Sequence, residues 1–141
     1  MQLKVSELAK RAGVSADTVR FYTRQGLLSP QRDDHNGYQL YNREDLQRLQ
    51  FAKKARQLGF TVKEITSILE QSEHHHSPCP MVRDLFESKL QEVEEQIAEL
   101  QTLRMHMKEA MSVWNTMPDG TPDGHTICQL IEHWEDDRDV Q

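Results

Sequence analysis

The sequence predicts a mainly α fold: a winged helix-turn-helix head with a small β-hairpin wing, a long coiled-coil dimerisation helix and a short C-terminal helix. Three observations predict it. Two short amphipathic patterns meet at Gly13-Val14, the outline of two helices joined by a tight turn. A turn cluster, Asp34-His35-Asn36-Gly37, precedes the alternating Tyr38-Gln39-Leu40-Tyr41, as in a hairpin. A heptad stripe then runs through 80–117.

In chain order, Val5, Leu8, Ala9 and Ala12 share one face of a first helix, with Ser6 as its expected N-cap. Ser15 caps a second helix that runs to about Gln25 and stops at Gly26. Val19 and Tyr22 fall at i and i+3 there, while Thr18, Arg20 and Arg24 are polar, which makes this the recognition candidate. Ser29-Pro30 ends the helical region before the wing. Asn42 or Arg43 opens a third helix carrying Leu46, Leu49, Ala52, Lys53 and Arg56. Thr61 caps a fourth, with Glu64 completing a capping box and Val62, Ile65, Ile68 and Leu69 as its buried face.

After His74-His75-His76-Ser77-Pro78-Cys79-Pro80, the stripe Phe86, Leu90, Val93, Ile97, Leu100, Met107, Met111 and Trp114 keeps alternating steps of four and three, broken by Arg104. About 35 residues at ~1.5 Å each make a helix of roughly 50 Å, too long to fold back on so small a head. A second copy must bury the stripe, so an obligate homodimer is expected. The segment 117–124, rich in Pro, Asp and Gly, is a loop. Residues 126–135, with Ile127, Leu130, Ile131 and Trp134, form a short amphipathic helix before a fraying acidic tail. The expected boundaries are 1–71 for the head, 72–79 for a linker, 80–117 for the dimerisation helix and 118–141 for the effector loop, terminal helix and tail.

With 36% hydrophobic residues and a mean hydropathy of −0.78, the chain suits a long helix needing a partner better than one compact globule. No stretch approaches the roughly 20 apolar residues of a membrane span, and no signal pattern opens the chain, so a soluble cytoplasmic protein is expected. Cys79 and Cys128 make no disulfide framework and are expected as free thiols or metal ligands. The net charge of −6 is unevenly divided. Residues 1–71 hold twelve Lys/Arg against eight Asp/Glu, a net +4, and residues 72–141 hold five against fifteen, a net −10. A basic head and an acidic tail suit a head that meets phosphate. No nucleophile–base pair, Gly-rich phosphate loop or carboxylate constellation points to an enzyme.

Ser6-Glu7-Leu8-Ala9 with Gly13-Val14, Thr18-Val19-Arg20-Phe21-Tyr22, Gly26-Leu27-Leu28, Gly37-Tyr38-Gln39-Leu40-Tyr41, Asp45-Leu46-Gln47-Arg48-Leu49 and Ala55-Arg56-Gln57-Leu58-Gly59-Phe60 occur in this order. Together they resemble the MerR family of transcription regulators over most of the chain. The resemblance implies DNA contacts from Ser15, Thr18, Arg20 and Tyr22 on the recognition helix, with Arg20 at a base edge or adjacent phosphate. Arg32 and Tyr38 on the wing, and Arg56 beyond it, would grip the DNA backbone. Tyr22 also reads as core packing, and exposed arginines are common. The resemblance further implies an antiparallel coiled-coil dimer on a pseudo-palindromic promoter operator, whose DNA it distorts so that RNA polymerase engages.

The same resemblance bears on the signal. Too few residues follow the long helix for a drug-binding domain, and two cysteines are too few for an iron–sulfur cluster. Cys79 and the unit His125-Thr126-Ile127-Cys128 look similar to the zinc, cadmium or lead branch, in which the first position of one protomer meets loop ligands of the other. Further cysteines usual early in that loop are replaced here by Asn115, Met117 and Asp119. Cys79, Cys128 and His125 would make three ligands to a divalent metal ion, with His76 or Asp119 completing a tetrahedron, a mixed set that favours Zn²⁺. The spacing of His125 and Cys128 predicts projection from one side of a helical turn. Against this, Cys128 also reads as a small buried hydrophobe and the triple histidine as a solvated linker. Two alternatives stand beside the metal reading: a regulator responding to thiol redox or electrophiles, or to no small effector, and a coiled-coil protein-binding adaptor.

Overall fold

The computed structural model describes residues 1–135; the tail expected to fray falls largely on 136–141, outside them. The order is α1 (Val5–Ala12), α2 (Ala16–Arg24), β1 (Gln31–Arg32), β2 (Gln39–Leu40), α3 (Arg43–Gln57), α4 (Val62–Glu73), α5 (Cys79–Trp114) and α6 (Gln129–Glu132). The chain forms two compact units, Met1–Lys89 and Leu90–Gln141. Among the described residues no helix is long and apolar enough to cross a membrane.

α1 starts one residue before the expected cap. Lys4, not Ser6, is its N-cap, because the Glu7 carboxylate accepts the Lys4 N–H at 3.1 Å and closes the first turn around Val5. The helix ends at Gly13, at φ 70°, where Val14 N–H donates back to the Ala9 carbonyl at 3.0 Å. A Cβ at Gly13 would lie 2.9 Å from Lys53 Nζ. That ammonium needs the space, since it donates to the Ala12 and Gly13 carbonyls, both at 3.2 Å, and so caps α1 from α3. α2 opens as expected: the Ser15 hydroxyl accepts the Thr18 N–H at 3.1 Å.

The wing is a two-residue ladder with Gln31 opposite Leu40 and Arg32 opposite Gln39. The N-terminal segment joins its base. Leu3 and Tyr41 exchange backbone hydrogen bonds of 2.8 and 2.7 Å, an isolated antiparallel bridge. Tyr41 is fully buried, and its hydroxyl shares a 2.7 Å hydrogen bond with Thr23 of α2. The core gathers Leu3, Leu8, Val19, Tyr22, Leu27, Tyr41, Leu49, Phe60, Ile65 and Ile68. One buried charge lies within this head: Asp45 accepts the Ser29 and Asn42 N–H groups, each at 3.0 Å, so its carboxylate ties the wing's entry to the N-terminus of α3. Asn42 is that helix's cap.

Thr61 and Glu64 form the expected capping box of α4. α4 continues to Glu73 and α5 already begins at Cys79, so both ends of the expected 72–79 linker are helical. Met81, Val82 and Leu85 pack on the head's core, which carries that compact unit past residue 71 to Lys89. Between the helices His75 sits at φ 61°, with the His75 and His76 N–H groups donating back to the Ser72 and Gln71 carbonyls. This is a glycine-type helix stop filled by a side-chain-bearing residue. His75→Gly is therefore expected to stabilise the protein by about 1 kcal/mol, read as a thermal midpoint raised by a few degrees.

In the second unit the terminal helix is shorter than expected, Gln129–Glu132 instead of 126–135. The reason is local. Asp123 accepts the His125 and Thr126 N–H groups at 2.7 and 2.8 Å, Glu132 reaches back to the Ile127 N–H at 3.2 Å, and Cys128 is extended at φ −142°. The donors an earlier helical turn would present are already bound in a turn.

Candidate nucleic-acid interface and thiol pair

The exposed face of α2 carries the candidate base-reading groups. Arg20 is 54% exposed and pairs with Asp17 at 2.9 Å, an i, i+3 contact that holds the guanidinium along the helix. Thr18 and Ser15 share a 2.9 Å hydroxyl contact at the helix start. Tyr22 lies in the core with 6% of its surface exposed, because its i+3 spacing from Val19 puts both on the buried stripe. Its ring meets Phe21 edge-on with centroids 5.3 Å apart, and Phe21 takes the more open position.

On the wing Arg32 is exposed and Tyr38 is 57% exposed. Lys4 stands over the Tyr38 ring with its Nζ 5.2 Å from the centroid, a cation that reading the sequence missed. Nothing in the local pattern of either residue signals it; the Leu3–Tyr41 bridge brings them together. Arg56 is exposed and donates from Nη1 to the Phe60 carbonyl at 2.9 Å, which orients the guanidinium. Two other cations of the head serve the fold: Lys53 caps α1, and Arg48 donates to the Leu27 carbonyl at 2.7 Å and pairs with Glu73.

The carboxyl of Glu64 is held below the usual carboxylate range, first by its hydrogen bond from Lys89 and then by the Thr61 N–H. Asp123 is also lowered, by the backbone N–H groups of His125 and Thr126.

The candidate metal ligands are free thiols and exposed polar groups. Cys79 is exposed at the first residue of α5, and Cys128 is a partly buried thiol at the cap of α6. His125 and Asp119 are exposed in the loop, and His76 is exposed in the linker. The helical turn expected to aim His125 and Cys128 together does not form, since both precede α6. Among the described residues no three His, Cys, Asp or Glu side chains of one chain converge as a metal site.

The family pattern of the MerR HTH regulatory proteins matches residues 3–72, and that described as MerR, DNA binding matches residues 46–110. The HTH-type transcriptional regulator ZntR of Escherichia coli K12 is 37% identical over 135 residues, covering 94% of this chain and 92% of ZntR. The chain belongs to the MerR family. As a MerR-family protein it is a DNA-binding transcription regulator and not an enzyme. Among solved structures, the regulator PbrR691 of Ralstonia metallidurans CH34 in complex with lead(II) matches at a TM-score of 0.72 and 25% identity, over 92% of this chain and 97% of that one. HiNmlR, a MerR family regulator bound to promoter DNA, matches at 0.53 and 28% identity, over 82% and 87%. The winged head, hairpin and long helix described above are the MerR fold.

Proposed function

We propose that this MerR regulator acts in the cytoplasm as a homodimer on a pseudo-palindromic promoter operator, and that a divalent metal ion switches it to activate transcription. The metal is Zn²⁺ foremost, with Cd²⁺ or Pb²⁺ as competitors. The observation that carries this reading is the placing of the ligand set along the sequence of elements. Cys79 opens α5 while Asp119, His125 and Cys128 follow its end, and α5 has 36 residues, about 54 Å at ~1.5 Å each. An antiparallel partner brings the start of one α5 to the end of the other, so each site would draw Cys79 from one protomer and loop ligands from its partner.

The exposed stripe supports the same pairing. Leu90, Val93, Ile97, Leu100, Met107 and Met111 are each 48–63% exposed in the single chain, an apolar face interrupted only at Arg104 that water does not stabilise. The donor chemistry fits the ion: two thiolates and an imidazole suit Zn²⁺, and metal binding would draw the protons from both thiols. His76 or Asp119 would supply a fourth donor. The lead(II) complex of PbrR691 supports metal responsiveness in a chain of this architecture. On DNA, the two heads would hold two shapes of the promoter with the same contacts, and bound metal would favour the one that RNA polymerase engages.

Metal titration of the reduced protein tests this, with Cys79→Ser and Cys128→Ser beside wild type. Zn²⁺ bound to wild type and weakened at least about 100-fold by either substitution is the expected result. Equal binding by all three chains overturns the metal reading. A transcription response that survives full chelation but vanishes on thiol alkylation would put a redox or electrophile switch in its place.

A further inference from the structure

Glu64, Phe60, Phe86 and Lys89 form a cluster that neither the DNA contacts nor the metal ligands use, and all four fall within the Met1–Lys89 unit. One oxygen of Glu64 has two partners. Oε1 accepts the Thr61 N–H at 2.8 Å, closing the first turn of α4, and meets Lys89 Nζ at 2.6 Å. Both side chains are sheltered, Lys89 at 21% exposed and Glu64 at 24%. Lys89 Nζ also stands 5.7 Å from the Phe60 ring centroid, and Phe60 stacks on Phe86 with centroids 5.9 Å apart and planes 25° from parallel. The Phe60 carbonyl accepts Arg56 Nη1 at 2.9 Å. The cluster therefore joins Arg56, the start of α4 and the early turns of α5.

The kinds of contact matter. Met81, Val82 and Leu85 hold α5 on the head by apolar packing, which is non-directional and tolerates a small roll of the helix. A hydrogen-bonded ion pair and a ring stack have preferred geometries and do not. Solvent screening is also weaker for a sheltered pair than for an open one.

We propose that Glu64 and Lys89 are positioning residues: their ion pair, with the Phe60–Phe86 stack, fixes the roll of α5 on the head and couples the state of α5 to the aim of Arg56 at the DNA backbone. The proposal rests on the reading of the protein as a metal-switched dimer. It gives the cluster a role in the shape of bound DNA, separate from operator affinity.

The test uses the full-length protein on a duplex operator carrying a donor dye at one end and an acceptor at the other, with and without Zn²⁺. Lys89→Met and Glu64→Gln are expected to keep the operator Kd within about twofold of wild type, yet to shrink the Zn²⁺-dependent change in energy transfer by about fivefold or more. Gln at position 64 keeps an acceptor for the Thr61 N–H, so α4 retains its cap. Lys89→Arg, which preserves the charge, should behave as wild type. A full Zn²⁺-dependent change in Lys89→Met overturns the proposal. So does a loss of affinity and of DNA response in equal proportion, which would mark the cluster as structural support alone. If wild type shows no Zn²⁺-dependent change, the metal reading fails, and the cluster is judged on the metal-free complex. There a broadened energy-transfer distribution in Lys89→Met, restored in Lys89→Arg, upholds the coupling, and an unchanged distribution overturns it.

Discussion

Ile97→Lys is expected to convert the protein to a monomer and to weaken operator binding by about 1,000-fold or more. Ile97 is 49% exposed in the single chain and lies midway along α5. If the start of one α5 meets the loop beyond the end of the other, the two-fold axis passes near residue 97, where each residue faces its own counterpart. One substitution then brings two ammonium groups together in an apolar seam. Burying unpaired like charges costs several kcal/mol, and about 4 kcal/mol is already a thousandfold in the dimer dissociation constant. A monomer would hold one half-site through one head and lose the gain of linked binding. Sedimentation equilibrium together with operator titration measures both effects. A variant that remains dimeric at wild-type affinity would show that the stripe is buried by something other than a second copy.

Mixing the two cysteine variants gives the second large effect. Cys79→Ser and Cys128→Ser homodimers are each expected to bind no tight metal, because every shared site lacks one thiolate. A heterodimer of the two differs. One of its sites lacks both cysteines and the other retains both, so co-expressed chains carrying separate tags should recover one tight site per heterodimer. A site built within a single chain would leave the heterodimer as empty as its parents. Metal content of the doubly tag-purified heterodimer decides the matter, and zero recovery sinks the cross-protomer arrangement.

The parts of the fold legible in the sequence are those set by near neighbours along the chain. Ser15 before Thr18, and Thr61 before Glu64, lie within one helical turn of the groups they cap, so spacing alone identifies them. Contacts across the fold left no such trace. The spacing that puts Lys53 on the third helix with Leu49 and Ala52 says nothing of its ammonium lying on the Ala12 and Gly13 carbonyls, and nothing near Asp45 in the chain points to the Ser29 N–H that it accepts. Tyr22 illustrates two demands on one residue: the resemblance places it toward DNA, the i, i+3 stripe places it in the core, and the structure buries it. The arrangement of the candidate loop ligands is the least legible part. A three-residue spacing aims two side chains together only on a helix, and the carboxylates of Asp123 and Glu132 capture the backbone donors there first.

The bridge between Leu3 and Tyr41 ties the amino-terminal segment to the base of the wing, beside the Lys4–Tyr38 contact. Whatever is joined ahead of Met1 emerges next to the wing, two residues from the backbone pair that anchors it. If the wing grips the DNA backbone through Tyr38, as the family resemblance implies, a small fluorophore at the amino end is expected to change its emission when operator is bound, and an unchanged signal at saturating operator would speak against that contact.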